Sequence, residues 1–150
     1  MTLRRTLGLL LAALLSVVGV AGAAAAHVTP RISNDGAWVQ GVAQCDLSSH
    51  SDCWAWIDPV DGTACPEGHF CVYTAKVASD GGKVFSFYHC AHSGRDWALH
   101  GWNGVGYFHN SESGGTHAYL KDANHRVLLD SAPGTSGPYD YTSVWFVRAC

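Results

Sequence analysis

The chain has 150 residues, of which 47% are apolar and only 14% are charged. Leaving out Arg4 and Arg5, which precede an N-terminal apolar segment, reduces the nine Lys and Arg to seven against 12 Asp and Glu, so the net charge of the remaining chain is near −5 with His neutral. This deficit of basic residues argues against binding to nucleic acid or to an anionic membrane surface, and the length is that of one domain.

The first 26 residues have the pattern of a secretory signal peptide. Arg4 and Arg5 precede an apolar run over 7–23, and three Ala at 24–26 form an A-x-A cleavage site. The run is at the short limit for a helix that spans a bilayer, so we do not expect a retained membrane anchor. The pattern predicts cleavage before His27 and secretion of residues 27–150.

All six Cys lie within the predicted mature chain. They are Cys45, Cys53, Cys65, Cys71, Cys90 and Cys150. An even number of Cys behind a signal peptide indicates three disulfides formed in an oxidising compartment. Spacing alone does not select among the pairings that six Cys allow. The short distances between neighbours favour Cys45 with Cys53 and Cys65 with Cys71, which leaves Cys90 with Cys150.

Residues 27–64 form a less regular N-terminal extension with one disulfide loop. It contains a candidate strand over 37–43 and an aromatic turn over 54–56, and it is too short to fold without its disulfide. Residues 65–150 then alternate between apolar and polar positions, with Gly, Asp, Asn and Ser clusters between the alternating segments. The strands predicted there cover 70–74, 84–88, 104–110, 116–121, 126–130 and 141–149.

These elements predict an all-β fold, a disulfide-stapled sandwich or Greek-key barrel. The segment 131–138 is rich in Gly, Pro and Ser and is predicted to be a loop. Most aromatic residues of a small β domain lie in its core. The residues assigned to the core on this ground are Tyr73, Phe85, Trp102, Tyr107 and Trp145.

The sequence from Cys65 to Tyr73, CPEGHFCVY, resembles the C-P-x-G-x-x-C-x-Y opening of peptidase inhibitor family thirty-six, small secreted actinobacterial proteins of the Streptomyces metalloproteinase inhibitor type. Three later segments are similar as well: 85–88, 102–106 and 141–145. The resemblance covers residues 65–150. It implies a βγ-crystallin-like Greek-key fold and inhibition of an extracellular metallo- or serine peptidase, although the Cys-Val-Arg-type loop of the founding inhibitor has no counterpart here.

A peptidase inhibitor presents a loop whose shape is fixed before binding, and a short disulfide provides such a loop. The first disulfide loop, Cys45–Cys53, encloses the single apolar residue Leu47. The second disulfide loop, Cys65–Cys71, is the preferred candidate. Pro66 restricts its backbone, and His69 and Phe70 offer larger side chains for contact with an enzyme. The residues that this loop encloses are Pro66, Glu67, Gly68, His69 and Phe70. The alternative that both loops only stabilise a small secreted domain stays open.

The sequence predicts neither an enzyme nor a metal or cofactor site. A G-x-S-x-G elbow is absent, and His89 lies too near Ser113 in sequence for a trypsin-like triad. The sequence contains no H-E-x-x-H, and Pro138 and Tyr139 occupy the acidic positions of a crystallin-type calcium turn before Thr142.

The alternative function is a non-catalytic binding module for a glycan or the cell wall. Trp54 and Trp56 lie two residues apart and therefore share a face if this segment is a strand. We expect them to form an exposed contact pair beside Cys53. In either function the expected form of the protein is a monomer.

Overall fold

The computed structural model describes residues 36–58, 61–75, 82–88 and 94–150. The predicted signal peptide, His27, His89 and Cys90 lie outside these ranges. Within the described residues, no helix has the length and hydrophobicity needed to cross a bilayer.

The described residues form eleven strands and one 3-10 helix, which confirms the predicted all-β class. The strands are β1 (Trp38–Val39), β2 (Ala43–Gln44), β3 (Cys53–Trp56), β4 (His69–Tyr73), β5 (Lys83–Tyr88), β6 (Trp97–His100), β7 (Val105–Asn110), β8 (Ala118–Lys121), β9 (Val127–Ser131), β10 (Ser136–Asp140) and β11 (Phe146–Arg148), and the 3-10 helix is Tyr141–Ser143.

The strands form two sheets. One sheet has five strands in the order β1-β6-β11-β8-β9, and the other has six in the order β10-β7-β4-β5-β3-β2. The pairings are antiparallel except for β2 with β3, which is parallel. Strands of the N-terminal extension enter both sheets, because β1 pairs with β6 and β3 pairs with β5. The crystallin-type Greek-key connectivity stays a prediction.

The main hydrophobic core lies between the two sheets. Alternate residues of the central strands point into it, as period-two alternation requires. From the six-stranded sheet it receives Phe70, Val72, Phe85, Phe87 and Phe108, and from the five-stranded sheet it receives Val39, Trp97, Leu99, Ala118, Leu120 and Val147. Burial of this apolar surface is the principal stabilisation of the sandwich.

A second hydrophobic cluster covers the outer face of the six-stranded sheet. Its members are Leu47, Cys53, Ile57, Cys65, Cys71, Tyr73, Ala75 and Val84. Both disulfide loops contribute to it, through Cys45–Cys53 and Cys65–Cys71. Strand β4 is therefore buried along its whole length instead of having one solvent-facing side.

Three sequence-based predictions near the C-terminus need correction. The predicted loop 131–138 ends in strand β10, where Pro138 is accommodated because β10 is the edge strand of its sheet. The predicted strand 141–149 starts as a 3-10 helix, capped by Asp140 through a 2.9 Å hydrogen bond from the Thr142 backbone N. Trp145, assigned to the core, is 55% exposed: its backbone bonds to Lys121 and Leu99 of the neighbouring strands, but its side chain lies on the solvent side.

The other aromatic core assignments divide into two groups. Tyr73, Phe85 and Trp102 are buried as predicted. Tyr107 is half-buried and packs against the second cluster rather than between the sheets. Strand β6, which the sequence pattern did not predict, lies in the five-stranded sheet between β1 and β11.

Candidate functional site

The second disulfide loop is closed by the predicted bond between Cys65 and Cys71, whose Cα atoms are 5.7 Å apart. The loop is held against the sheet by a 2.8 Å hydrogen bond from Gly68 N to Ser111 O, and Gly68 has a φ of 76° that favours glycine. Glu67 is exposed, and Pro66 is half-buried.

His69 and Phe70, the expected contact groups of this loop, are buried. Their exposed fractions are 1% and 0%. Both belong to β4, so Phe70 points between the sheets and His69 points into the covered outer face. The expectation that these two side chains offer an inhibitory contact is therefore wrong, and the second disulfide loop acts as a cover for β4.

His69 forms a buried hydrogen bond in this region. Its Nδ1 lies 2.6 Å from Ser86 Oγ, and the Ser86 side chain is fully buried. The Sγ atom of Cys71 lies 3.7 Å from the same hydroxyl. A serine beside a histidine is a feature of nucleophilic catalysis, but a substrate must reach the hydroxyl. Burial of Ser86 beneath the disulfide favours a structural role for this pair.

The first disulfide loop is closed by the predicted bond between Cys45 and Cys53, also with a Cα–Cα distance of 5.7 Å. In contrast to the second loop, it presents most of its residues to solvent. The exposed residues are Asp46, Ser48, Ser49, His50 and Ser51. Leu47 is buried in the second hydrophobic cluster, and Asp52 is half-buried.

Hydrogen bonds within the first disulfide loop fix its backbone. Asp46 Oδ1 accepts from Ser48 N at 2.9 Å and from Ser48 Oγ at 2.6 Å, which forms an Asx turn. These hydrogen bonds from Ser48 lower the pKa of Asp46 and keep its carboxylate charged. Ser51 N donates to Ser49 O at 2.8 Å. The loop is thus ordered without help from a partner.

Both ends of the first disulfide loop are attached to the six-stranded sheet. Cys45 N donates to Trp54 O at 2.8 Å, and Asp52 Oδ1 accepts from Tyr88 N at 2.8 Å. The ring of His50 lies 4.8 Å from the ring of Tyr88, centroid to centroid. The loop is therefore an exposed segment on a rigid base.

Trp54 and Trp56 lie on one face of β3 but do not form the expected exposed pair. Trp54 is half-buried against Phe85, whereas Trp56 is 58% exposed. Their rings are nearly perpendicular, with centroids 5.5 Å apart, so they do not make a flat stacking surface. The Nζ of Lys83 lies 5.5 Å from the Trp54 ring and 5.6 Å from the Trp56 ring, a cation–π arrangement.

Charged residues converge at Asp96, whose side chain is 10% exposed. Asp96 accepts from Lys121 Nζ at 2.9 Å, from His125 Nδ1 at 2.6 Å and from Arg148 Nε at 2.6 Å. Burial acts to raise the pKa of Asp96, but these hydrogen bonds and the charge of Lys121 outweigh it and lower the pKa. The charged groups of this cluster thus satisfy one another by hydrogen bonds. They connect β6, β8 and β11 on the outer face of their sheet.

Within the described residues, no group of three or more His, Cys, Asp or Glu side chains is placed to hold a metal ion. Asp140 follows Pro138 and Tyr139, which occupy the acidic positions of a crystallin-type calcium turn. Its carboxylate caps the 3-10 helix and accepts a hydrogen bond from Thr142 Oγ1 at 2.6 Å.

No family model, curated protein or solved structure significantly matches this chain. Its function is therefore inferred from its own sequence and surface chemistry. Two features are not predicted by the sequence: the greater exposure of the first disulfide loop, and a cleft beside Trp145. The Asp46-x-Ser48 spacing is a signal for the ordered turn in that loop, because Asp accepts from the backbone two residues on.

Proposed function

We propose that the chain is a secreted inhibitor of an extracellular metallo- or serine peptidase and that it binds the enzyme through the first disulfide loop, Cys45–Cys53. The observation that carries the proposal is the combination of exposure and order in this loop. Four consecutive residues, 48–51, are exposed, while the disulfide, the Asx turn and buried Leu47 hold the backbone in place.

The physical reason is the cost of ordering a loop on binding. Each immobilised side chain costs about 0.5–1.5 kcal/mol, and a loop that is already ordered avoids part of that cost. A peptidase also hydrolyses flexible segments readily, whereas a fixed loop resists the rearrangement that hydrolysis requires. A loop closed at Cys45 and Cys53 and attached to β5 through Asp52 meets both conditions.

Secretion is supported by two observations. The N-terminal pattern over 1–26 is typical of a signal peptide, and disulfides such as Cys45–Cys53 and Cys65–Cys71 form in oxidising compartments. The resemblance of residues 65–150 to peptidase inhibitor family thirty-six supports inhibition as the activity. The contact loop proposed here precedes that segment and packs on its sheet.

The test is a titration of extracellular metallo- and serine peptidases with the refolded protein, measuring the inhibition constant for each enzyme. His50→Ala should weaken inhibition of the sensitive enzyme at least tenfold, because His50 is the largest exposed side chain of the first disulfide loop. Glu67→Ala is the matched control, since Glu67 is an exposed residue of the second disulfide loop. We expect it to leave the inhibition constant unchanged.

A second variant isolates the effect of loop order. Two Gly inserted between Ser49 and His50 keep the disulfide and every side chain but relax the backbone. We expect weaker inhibition and faster hydrolysis of the loop with an unchanged melting temperature. The proposal is overturned if no peptidase in the panel is inhibited, or if Glu67→Ala weakens inhibition while both first-loop variants do not.

A further inference from the structure

A small cleft opens at the end of the five-stranded sheet, away from both disulfide loops. It lies between the turn that follows β6 and the segment that joins the 3-10 helix to β11, and its volume is about 190 Å³. Its walls include His100, Trp102, Asn103, Thr142 and Trp145. None of these residues belongs to the proposed inhibitory loop.

We propose that this cleft binds one neutral sugar ring of a polysaccharide, with the Trp145 indole stacked on the apolar face of the ring. This would be a second function, independent of peptidase inhibition. It places glycan recognition at Trp145 rather than at Trp54 and Trp56, where the sequence predicted it.

The aromatic part of the site consists of one exposed and one fixed indole. Trp145 is 55% exposed although its neighbour Val144 is buried. Trp102 is buried and fixed, because its Nε1 donates to Trp38 O at 3.3 Å and its ring lies 4.9 Å from Tyr141. An indole combines a large apolar face with a polar N–H edge, which suits contact with a hydrated sugar ring.

The polar part of the site includes an unsatisfied atom. The Nε2 of His100 is buried and has no hydrogen-bond partner among the described residues. The His100 ring is held in place by stacking on Trp38, at 4.1 Å between centroids and 15° between planes. Buried ring nitrogens normally have a hydrogen-bond partner. His100 lines the cleft, so a small shift of its ring on binding would bring this unpaired nitrogen to the cleft surface. A sugar hydroxyl can both donate and accept, and therefore satisfies either tautomer.

The walls of the cleft are fixed before any ligand binds. Gly101 has a φ of 71°, and a Cβ at this position would lie 2.9 Å from Gly36 O, so the turn after β6 requires glycine. On the opposite wall, Thr142 Oγ1 donates to Asp140 Oδ1 at 2.6 Å and accepts from Gly104 N at 3.1 Å. Such preorganisation lowers the ordering cost of binding.

Size and charge select the class of ligand. The volume of about 190 Å³ is below the range of roughly 300–1,000 Å³ that holds a drug-sized molecule, so the cleft fits one ring. The lining contains no Asp, Glu, Lys or Arg among the described residues, which disfavours an ionic ligand. Aromatic faces together with amide, hydroxyl and imidazole groups match a neutral pyranose, which has an apolar C–H face and polar hydroxyls at its rim.

The test measures retention of the refolded protein on insoluble cellulose, chitin and β-1,3-glucan, followed by calorimetric titration with soluble oligosaccharides of the polymer that retains it. Trp145→Ala should reduce the affinity at least tenfold. Trp56→Ala is the matched control, because Trp56 is as exposed as Trp145 but lies on the other sheet. Trp56→Ala should bind as the wild type does.

Melting temperatures of both variants show whether either change unfolds the protein. His100→Gln supplies a second readout at the same site, and we expect weaker binding. Its melting temperature measures separately what the loss of stacking on Trp38 costs in stability. Absence of retention on all three polymers, equal loss in Trp56→Ala and Trp145→Ala, or retention that Trp145→Ala leaves unchanged would each overturn the proposal. Peptidase inhibition by the same preparations is measured separately, so failure of one function does not conceal the other.

Discussion

The Asp52 carboxylate accepts a hydrogen bond from the backbone N of Tyr88 at 2.8 Å, and this contact attaches the first disulfide loop to β5. The donor is a backbone group of a central strand, so it cannot move independently of the sheet. Asp52 is the last residue before Cys53, which means that the disulfide and this hydrogen bond fix the same end of the loop.

The first prediction concerns this attachment. Asp52→Ala should reduce the free energy of unfolding by about 2 kcal/mol, since a charged acceptor is lost. It should also weaken inhibition about tenfold because the loop loses part of its order. Asp52→Asn keeps an oxygen acceptor and should fall between the wild type and the Ala variant in both measurements. Denaturant unfolding and inhibition constants together check this, and an Ala variant that inhibits as well as the wild type does would contradict it.

The second prediction concerns Phe70, which lies in the main core. Phe70→Ala should cost roughly 3–5 kcal/mol of stability through the cavity that it leaves. Inhibition per folded molecule should not change. Urea unfolding monitored by Trp fluorescence, with inhibition corrected for the folded fraction, measures both effects. Weaker inhibition at unchanged stability would return the contact surface to the second disulfide loop.

Strand β4 also shows what the sequence reveals and what it does not. Alternation at Phe70 and Val72 correctly predicted a strand with an inward face. It could not show that the other face of β4 is covered as well, because the covering residues Leu47 and Ile57 come from a distant segment. His69 therefore looked like an exposed loop residue and is instead buried.

The C-terminal region shows the same limit. Pro138 within a Gly- and Ser-rich segment indicated a loop, but the sequence does not reveal that this segment lies at a sheet edge, where proline is tolerated. Trp145 was assigned to the core from its residue type alone. The 3-10 helix occupies the first part of the predicted strand 141–149 and β11 starts only at Phe146, so strand alternation counted over 141–149 does not give the direction of the Trp145 side chain. The Asp140-x-Thr142 spacing is the local signal for that helix.

The third prediction concerns Asp96 and acid stability. Because its pKa is lowered in the folded protein, the stabilisation from the ionised carboxylate is present above its unfolded pKa, near 4, and is lost as the pH falls through the folded value. Asp96→Asn should therefore cost about 3 kcal/mol near neutral pH, since Lys121 loses its buried partner.

The difference in the free energy of unfolding between the wild type and Asp96→Asn should shrink as the pH falls below about 4. Denaturant unfolding of the wild type and Asp96→Asn at about pH 7 and about pH 3 measures the two gaps. Asp130→Asn is a suitable control because the Asp130 side chain is 55% exposed. A gap that stays constant across this range would show that Asp96 does not contribute through its charge.

The fourth prediction concerns the third disulfide. Cys150 is disulfide-bonded, while Cys45 pairs with Cys53 and Cys65 pairs with Cys71. Its predicted partner, Cys90, lies outside the described residues. Non-reducing peptide mapping by mass spectrometry should yield a peptide that joins Cys90 to Cys150. A bond between Cys65 and Cys90 would rule out the predicted pairing.

The most direct test of the inhibitor account is to identify the bond at which an inhibited peptidase slowly cleaves the protein. The stoichiometric complex is incubated for a long period and mapped by mass spectrometry before and after reduction. We predict a single cut within residues 46–52, with the two fragments held together by the Cys45–Cys53 disulfide until reduction. A first cut within 66–70 or elsewhere in the folded chain, or the failure of every peptidase tested to form a complex, would contradict the account.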